Sequence, residues 1–360
     1  MTGKKILVAP LDWGLGHATR CIPIVRELLL AGHEVIIAAD GNGEHILREE
    51  FPELQFINLE GYRLSYSKSV PAWLKIILQL PKIMTVMRRE HAALKKIIDE
   101  HQIDVVISDN RFGLWNKKVR TVYVTHQLMI KCPRGLKFFE PVLHALHKMI
   151  IRKYDQCWVP DYSGSENLSG DLAHKYPLPK NAEFVGPLSR FTHGKKHDIE
   201  YDLCIILSGP EPARTSLEKK VWSLLENYKG KCIVILGRPG HNHPSANSHV
   251  KIFSHLNSGV LEKAILSSAF VICRSGYSGI MDLIALKKNA LLIPTPGQTE
   301  QEYLAEYLSA KKIFQCMQQK DFTLEDLKTE GFSIDGTFTV QSRLKDAINK
   351  AMDFSQKTPA

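Results

Sequence analysis

The residues with the most chemical content sit in loops that follow short apolar runs. KKILVAP (4–10) leads into Asp12-Trp13-Gly14-Leu15-Gly16-His17, and helical spacing follows from 18 to 31. Loops at the carboxyl ends of parallel strands build the ligand site in open α/β sheets. Gly14 and Gly16 let the backbone turn tightly and approach a ligand. The imidazole of His17 titrates near neutrality, so it suits a general base that takes a proton from a hydroxyl. A turn histidine that merely caps the helix is the competing reading. Gly14 and Gly16, with Asp40 ending HEVIIAAD (33–40), also imitate a dinucleotide fingerprint. Thr19 stands where its third glycine would be, which leaves a nicotinamide oxidoreductase as a minor alternative.

Three later loops repeat the pattern. Ser208-Gly209-Pro210-Glu211-Pro212-Ala213-Arg214 follows an apolar run and precedes a helix. A glycine turn, a helix N-terminus and a guanidinium are the parts of a diphosphate site; a solvated turn is the alternative. In Arg274-Ser275-Gly276-Tyr277-Ser278-Gly279, small residues open a helix N-terminus to a phosphate. Asp282, further into that helix, can accept hydrogen bonds from ribose hydroxyls, or it is a surface charge. Pro294 to Glu302 carries amides and carboxylates, including Gln301 and Glu302, that suit sugar hydroxyls.

The elements that must position these loops alternate strand and helix. Strand patterns fall at 4–10, 33–40, 104–109 and 121–126, and restart at 201–209, 231–237, 250–253, 269–276 and 290–294. The expected organisation is an α/β chain of two doubly wound Rossmann-like domains facing a central cleft. Residues 1–190 form the first domain, 191–200 a linker and 201–340 the second domain. Residues 341–360 form a terminal helix and tail that pack back on the first domain. Seven dispersed cysteines without a CxxC pair read as reduced core thiols of a cytoplasmic protein. The start reads as a strand and not as a secretory signal. No apolar run approaches the roughly 20 residues of a membrane span. The net charge of +9 favours anionic partners. No zinc-finger pattern or aromatic RNA platform accompanies it, so nucleic acid is not the expected partner.

GLGHATRCIPIVRELLLAGHEV (14–35) and CRSGYSGIMDLIALKKNALLIPTPGQTEQEYLAEYL (273–308) together resemble the GT-B glycosyltransferases. The resemblance is to the MurG-like, lipid II-forming N-acetylglucosaminyltransferases and to the UDP-glucosyltransferases. It implies that His17 is the catalytic base, oriented by Asp109, which ends DVVISD. It implies that 1–190 is the acceptor side, with a contact at Gly14, and 201–340 the nucleotide-sugar donor side, with a donor site at Gly16 of the first domain and Ser208, Gly209, Arg214, Ser275, Gly276, Gly279 and Asp282; His126, after TVYVT, either lines the acceptor pocket or is a packed strand-end histidine. Phe253 and His255 fall where the nucleotide base would be read, and Gln301 and Glu302 where the sugar would be. Asp282 stands for the usual glutamate, and Glu302 for a glutamine. No Asp-x-Asp pair occurs, and Ala290 occupies the place of the second glutamate of the retaining branch. The expected activity is therefore an inverting, metal-independent transfer. It needs no cofactor and takes a nucleotide-sugar, UDP-linked by resemblance, as co-substrate. An epimerase or hydrolase of the same fold and a non-catalytic nucleotide-sugar binder remain alternatives.

Two stretches bear on the acceptor. Residues 71–98 and 135–153 are apolar with basic edges, and Pro81 is expected to break the first. Such stretches suit peripheral contact with the inner face of an anionic membrane and a lipid-linked, cell-envelope acceptor. They equally suit core-facing helices.

Overall fold

The computed structural model describes residues 3–62, 72–191, 197–238, 249–327, 331–334, 338 and 343–353, with the backbone alone at 72–80 and 134. Two compact units divide between Leu188 and Ser189.

The first unit runs β1 (Lys5–Pro10), α1 (Leu15–Leu30), β2 (Glu34–Ala39), α2 (Gly41–Glu50), β3 (Gln55–Asn58), α3 (Ala72–His101), β4 (Val105–Asp109), β5 (Arg120–Val124), α4 (Glu140–Ile151), β6 (Gln156–Val159), α5 (Asp171–His174) and β7 (Ala182–Phe184). A 3-10 turn, Arg134–Phe139, leads into α4. Its seven strands are parallel in the order β3-β2-β1-β4-β5-β6-β7. The chain reverses direction between β1 and β4, so their carboxyl ends flank a topological switch point. There Pro10 pairs with Asp109. The central strands are apolar and fully buried because helices cover both faces. One face packs Leu7, Ile36 and Val106 against Leu94, Ile97 and Ile98 of α3.

Helix α1 buries Ala18, Cys21, Ile22, Val25 and Leu28 at helical spacing and stops at Gly32, whose φ is 78°. Helix α3 runs through Pro81 without a break, contrary to the sequence expectation. Pro81 is exposed, and the Thr85 hydroxyl donates to its carbonyl at 2.9 Å. The buried residues of the following turns hold the helix on the sheet.

The second unit runs β8 (Tyr201–Ile206), α6 (Ala213–Leu225), β9 (Cys232–Ile235), β10 (Val250–Phe253), α7 (Ser258–Leu266), β11 (Ser268–Cys273), α8 (Tyr277–Ala285), β12 (Ala290–Leu292), α9 (Thr299–Ala310) and β13 (Gln315–Cys316). Its parallel order β10-β9-β8-β11-β12-β13 repeats that of the first six strands of the other sheet. Its switch point lies between β8 and β11, at the two loops with glycine and arginine. Helix α10 (Leu344–Met352) returns to the first unit, where it packs on α1. The Arg343 amide there donates to the Val185 carbonyl at 3.0 Å. Part of the expected linker, 192–196, lies outside the described residues.

Candidate active site

At the first switch point, Gly14 starts α1 with φ 83°, and a Cβ there would meet nothing within 4 Å. The turn leaves the loop open above the strand ends. His17 stands in the first turn of α1 with its Nδ1 3.1 Å from Asp109 Oδ1. Asp109 ends β4 and is fully buried. Arg20, one turn on from His17, is buried beside it and closes on the same carboxylate. Its Nε donates to Oδ2 at 2.6 Å and its Nη2 to Oδ1. The Cys21 thiol lies 3.5 Å from Oδ2. Arg20 Nη1 is 2.9 Å from Nδ1 of His126, just beyond β5, and Nη2 is 2.9 Å from Nδ1 of His17.

The electrostatics follow from burial. Burial alone would raise Asp109, but the Arg20 charge and His17 hold it well below the usual carboxylate range. Burial and then Arg20 lower His17 from its ordinary value, against the pull of Asp109. The arrangement is a neutral imidazole against an ionised carboxylate, able to take a proton near neutrality.

At the second switch point, Gly209 follows β8 with φ 102°. A Cβ there would stand 3.4 Å from Thr295 Oγ1 and 3.9 Å from Arg274 Nε. Both atoms are buried without a hydrogen-bond partner. The rest of the Arg274 guanidinium is fixed by the carbonyls of Ile293, Pro294 and Ala213 and by Gln319 Oε1. A cationic donor and a hydroxyl therefore converge beside a residue without a side chain, which suits an anionic oxygen. Gly276 caps α8, and a Cβ at Gly276 or Gly279 would meet nothing within 4 Å. Ser208 is half-buried in the same loop as Gly209.

Residues 4–129 match the model for glycosyl transferase family 1, and residues 240–351 match the glycosyltransferase family 28 C-terminal domain. An uncharacterized glycosyltransferase of Methanosarcina acetivorans is 25% identical over 334 residues, covering 84% of this chain and 81% of that protein. The crystal structure of MurG from Acinetobacter baumannii superposes with a TM-score of 0.55 at 12% identity, covering 97% of this chain and 99% of that one. Both halves of the chain are thus similar to glycosyltransferases, and its fold is GT-B. A Listeria monocytogenes protein described as a UDP-N-acetylglucosamine 2-epimerase shares the fold, with a TM-score of 0.61 at 12% identity over 98% of this chain and 96% of that one.

The residues expected at the site divide into two groups. His17 and Asp109 meet, His126 joins them through Arg20, and Gly14 and Gly16 lie in the same turn as His17; the Gly16 carbonyl accepts from the Thr19 hydroxyl at 3.1 Å. Others are engaged within the protein. Arg214 is buried and its guanidinium is occupied by Glu211 at 2.8 Å, Glu218 at 2.7 Å and the Leu236 carbonyl at 3.1 Å. Asp282 is buried and accepts from Ser189 Oγ at 2.7 Å and Arg190 Nε at 3.2 Å, so it fastens the segment after Leu188 to α8. Burial raises its carboxyl, and Arg190 and Ser189 act against that. Ser275 Oγ donates to the Gln301 carbonyl, Gln301 Oε1 accepts from the Thr295 amide and Glu302 Oε1 from the Gly297 amide. These three shape the loop between β12 and α9. Phe253 ends β10 at the sheet edge and is exposed; His255 follows half-buried.

Sequence reasoning passed over Arg20, Arg274 and Thr295. Arg20 carried one signal: it lies on the buried stripe of α1, beside Cys21 and one turn from His17. A cation on such a stripe needs a buried partner. Arg274 had a comparable signal directly after the apolar run of β11.

Proposed function

We propose that the chain is an inverting, metal-independent glycosyltransferase that moves a sugar from a nucleoside-diphosphate sugar, UDP-linked by resemblance, to an acceptor hydroxyl. The observation that carries this reading is the His17–Asp109 contact at the first switch point, in a chain whose two halves match glycosyltransferase models. His17 Nε2 takes the acceptor O–H proton, and the acceptor oxygen bonds to the anomeric carbon. The bond from that carbon to the diphosphate oxygen breaks with inversion, and the nucleoside diphosphate leaves. Its growing charge is met by the N-terminus of α8, the Gly209 turn, Thr295 and Arg274, without a metal or other cofactor.

For the acceptor we favour a lipid-linked or cell-envelope glycan. The support is the stretch around α4. Phe138, Phe139, Val142, Leu146 and Met149 are exposed along one helical face, edged by Lys137, Lys148 and Arg152. The other stretch divides: Leu94, Ile97 and Ile98 of α3 are core, and the side chains of 72–80 lie outside the described residues. No helix of the described residues is long and apolar enough to cross a membrane.

The first test is thermal stabilisation of the full chain by UDP, GDP, dTDP and NAD. A ligand at 100 times its Kd stabilises by about 2.7 kcal/mol. One nucleoside diphosphate should raise Tm, and NAD should not. A shift with NAD alone would overturn the reading. Release of free sugar or an epimer from a bound nucleotide-sugar without acceptor would favour the epimerase or hydrolase reading.

A further inference from the structure

We propose that Arg238 is a second cationic reader of the donor's diphosphate, placed on the opposite side of the Gly209 turn from Arg274 and Thr295. This deepens the transferase reading and rests on it for the nucleoside. Affinity for a bare diphosphate can be measured without turnover.

The backbone fixes where Arg238 stands. Strand β9 ends at Ile235, and Gly237 follows with φ 63°. A Cβ at Gly237 would collide with the Leu207 carbonyl and lie 3.8 Å from Ser208 Cα, so only glycine lets the chain press here against the exit of β8. On the other side, the Arg238 amide donates to the Ser254 carbonyl at 2.8 Å. Arg238 is thereby set between Ser208, which opens the Gly209 turn, and the loop after β10. The strands run in the order β10-β9-β8-β11-β12. Arg238 follows β9, the Gly209 turn follows β8, and Arg274 and Thr295 follow β11 and β12. The turn therefore has a cationic group on each side.

The side chain is tethered at one nitrogen. Nη2 is 3.1 Å from Thr215 Oγ1, 3.3 Å from Glu211 Oε1 and 3.8 Å from Glu218 Oε2. Arg214 already holds the same two carboxylate oxygens at 2.8 and 2.7 Å. Nε and Nη1 of Arg238 donate to no group among the described residues. The two guanidiniums of this network thus differ in use. Arg214 is 4% exposed and spent inside the protein. Arg238 is 32% exposed, aimed by Thr215 and Glu211, and keeps donors for a ligand. An ordinary surface ion pair is the competing description, but such a pair closes the fork on its own carboxylate.

The chemistry follows from the number of phosphoryl groups. Arg274 Nε and the Thr295 hydroxyl suit the oxygens of one. A diphosphate brings a second, and a guanidinium with Nε and Nη1 open fits its oxygens. Nη2 stays on Thr215 and Glu211, so no ion pair has to break. As the bond to the anomeric carbon breaks, the charge growing on the diphosphate is met from both sides of the turn.

The test is calorimetry of the full chain with inorganic pyrophosphate, UDP, GDP and dTDP. Arg238→Met should weaken pyrophosphate, and whichever nucleoside diphosphate binds, by about tenfold or more. Its Tm should stay nearly unchanged, because an exposed ion pair contributes little. Lys219→Met removes the same charge from an exposed position on α6. Its affinities should stay within about twofold of the wild type. Equal losses in the two variants would reduce Arg238 to a share of the general field and overturn the proposal. A fall in Tm with unchanged affinity would make it a structural tie and overturn it too. If pyrophosphate affinity depends on Arg238 and no nucleotide-sugar turns over, the anion reader stands and the transferase reading falls alone. If nucleotide-sugar turns over and affinity is indifferent to Arg238, the inference falls alone. No binding of any of the four ligands by the wild type would overturn both.

Discussion

Arg20 and Asp109 meet as a bidentate pair with both side chains buried. Because the guanidinium holds the carboxylate ionised and lowers the neighbouring imidazole, the site has a defined acid limit. The neutral form of His17 is the working base. The kcat/KM profile should rise with pH through a midpoint below the ordinary value of about 6.5. A midpoint above that value would contradict the assignment of the base. Folding stability has the same sign. Between the lowered value of native His17 and about 6.5, the unfolded chain binds more protons. The His17 contribution is thus complete above about 6.5 and is lost as pH falls through that window. Asp109, lowered in the native state, adds a further loss below about 3.9. Denaturant midpoints across pH would read both losses.

His17→Ala removes the proton acceptor and leaves the second unit untouched. Turnover should fall by about 10²–10⁴-fold. Nucleoside-diphosphate affinity, read by calorimetry, should stay within about twofold, or roughly 0.4 kcal/mol. Equal turnover would remove His17 from the mechanism.

Thr295→Val tests the anionic subsite beside Gly209. The hydroxyl is buried without a partner, so an apolar group of the same shape should leave the free protein as stable or slightly more stable. Nucleotide affinity should weaken by about tenfold or more, because a hydrogen bond to a charged group contributes about 1.5–3 kcal/mol. Loss of stability with unchanged affinity would place the diphosphate elsewhere.

Arg214 calls for the opposite outcome. Its guanidinium is held by Glu211 and Glu218. Arg214→Met leaves buried Glu218 with only the Arg238 guanidinium, at 3.8 Å, so stability should fall by less than the about 3–5 kcal/mol of a fully unpaired buried charge. Adding Glu218→Gln should restore part of that stability. Nucleotide affinity of the folded fraction should not change. A specific loss of affinity in the double variant would return Arg214 to the diphosphate site.

The apolar strands of both sheet centres were legible because burial on two faces leaves unbroken apolar runs such as ILVAP and LCII. Of the edge strands only VKIF was. QFIN, AEF and QC are short and half-polar, and only pairing with a neighbour makes them strands. The loop bearing His17 was legible because glycine and histidine at a strand end point to the same chemistry. The partnership of Arg20 with Asp109 was not, because it joins positions far apart in the chain. A buried cation also looks in sequence like any surface charge. Asp282 and Arg214 show the converse: residue types suited to a ligand are matched within the protein by Ser189, Arg190, Glu211 and Glu218.

The exposed face of α4 gives the last expectation. Five large apolar side chains at helical spacing have no core to fill, and the basic residues at their edge have a field suited to anionic lipid. Apolar area and surface charge act together in such binding. Leu146→Glu with Met149→Glu should abolish co-flotation with vesicles containing phosphatidylserine or phosphatidylglycerol. High salt should weaken the wild type in the same assay. Both positions are exposed, so melting temperature and nucleotide affinity should be unchanged. Binding to anionic vesicles that survives the double substitution would move the contact away from α4. Binding by neither form would leave the face to a protein partner and remove the support it gives to a lipid-linked acceptor.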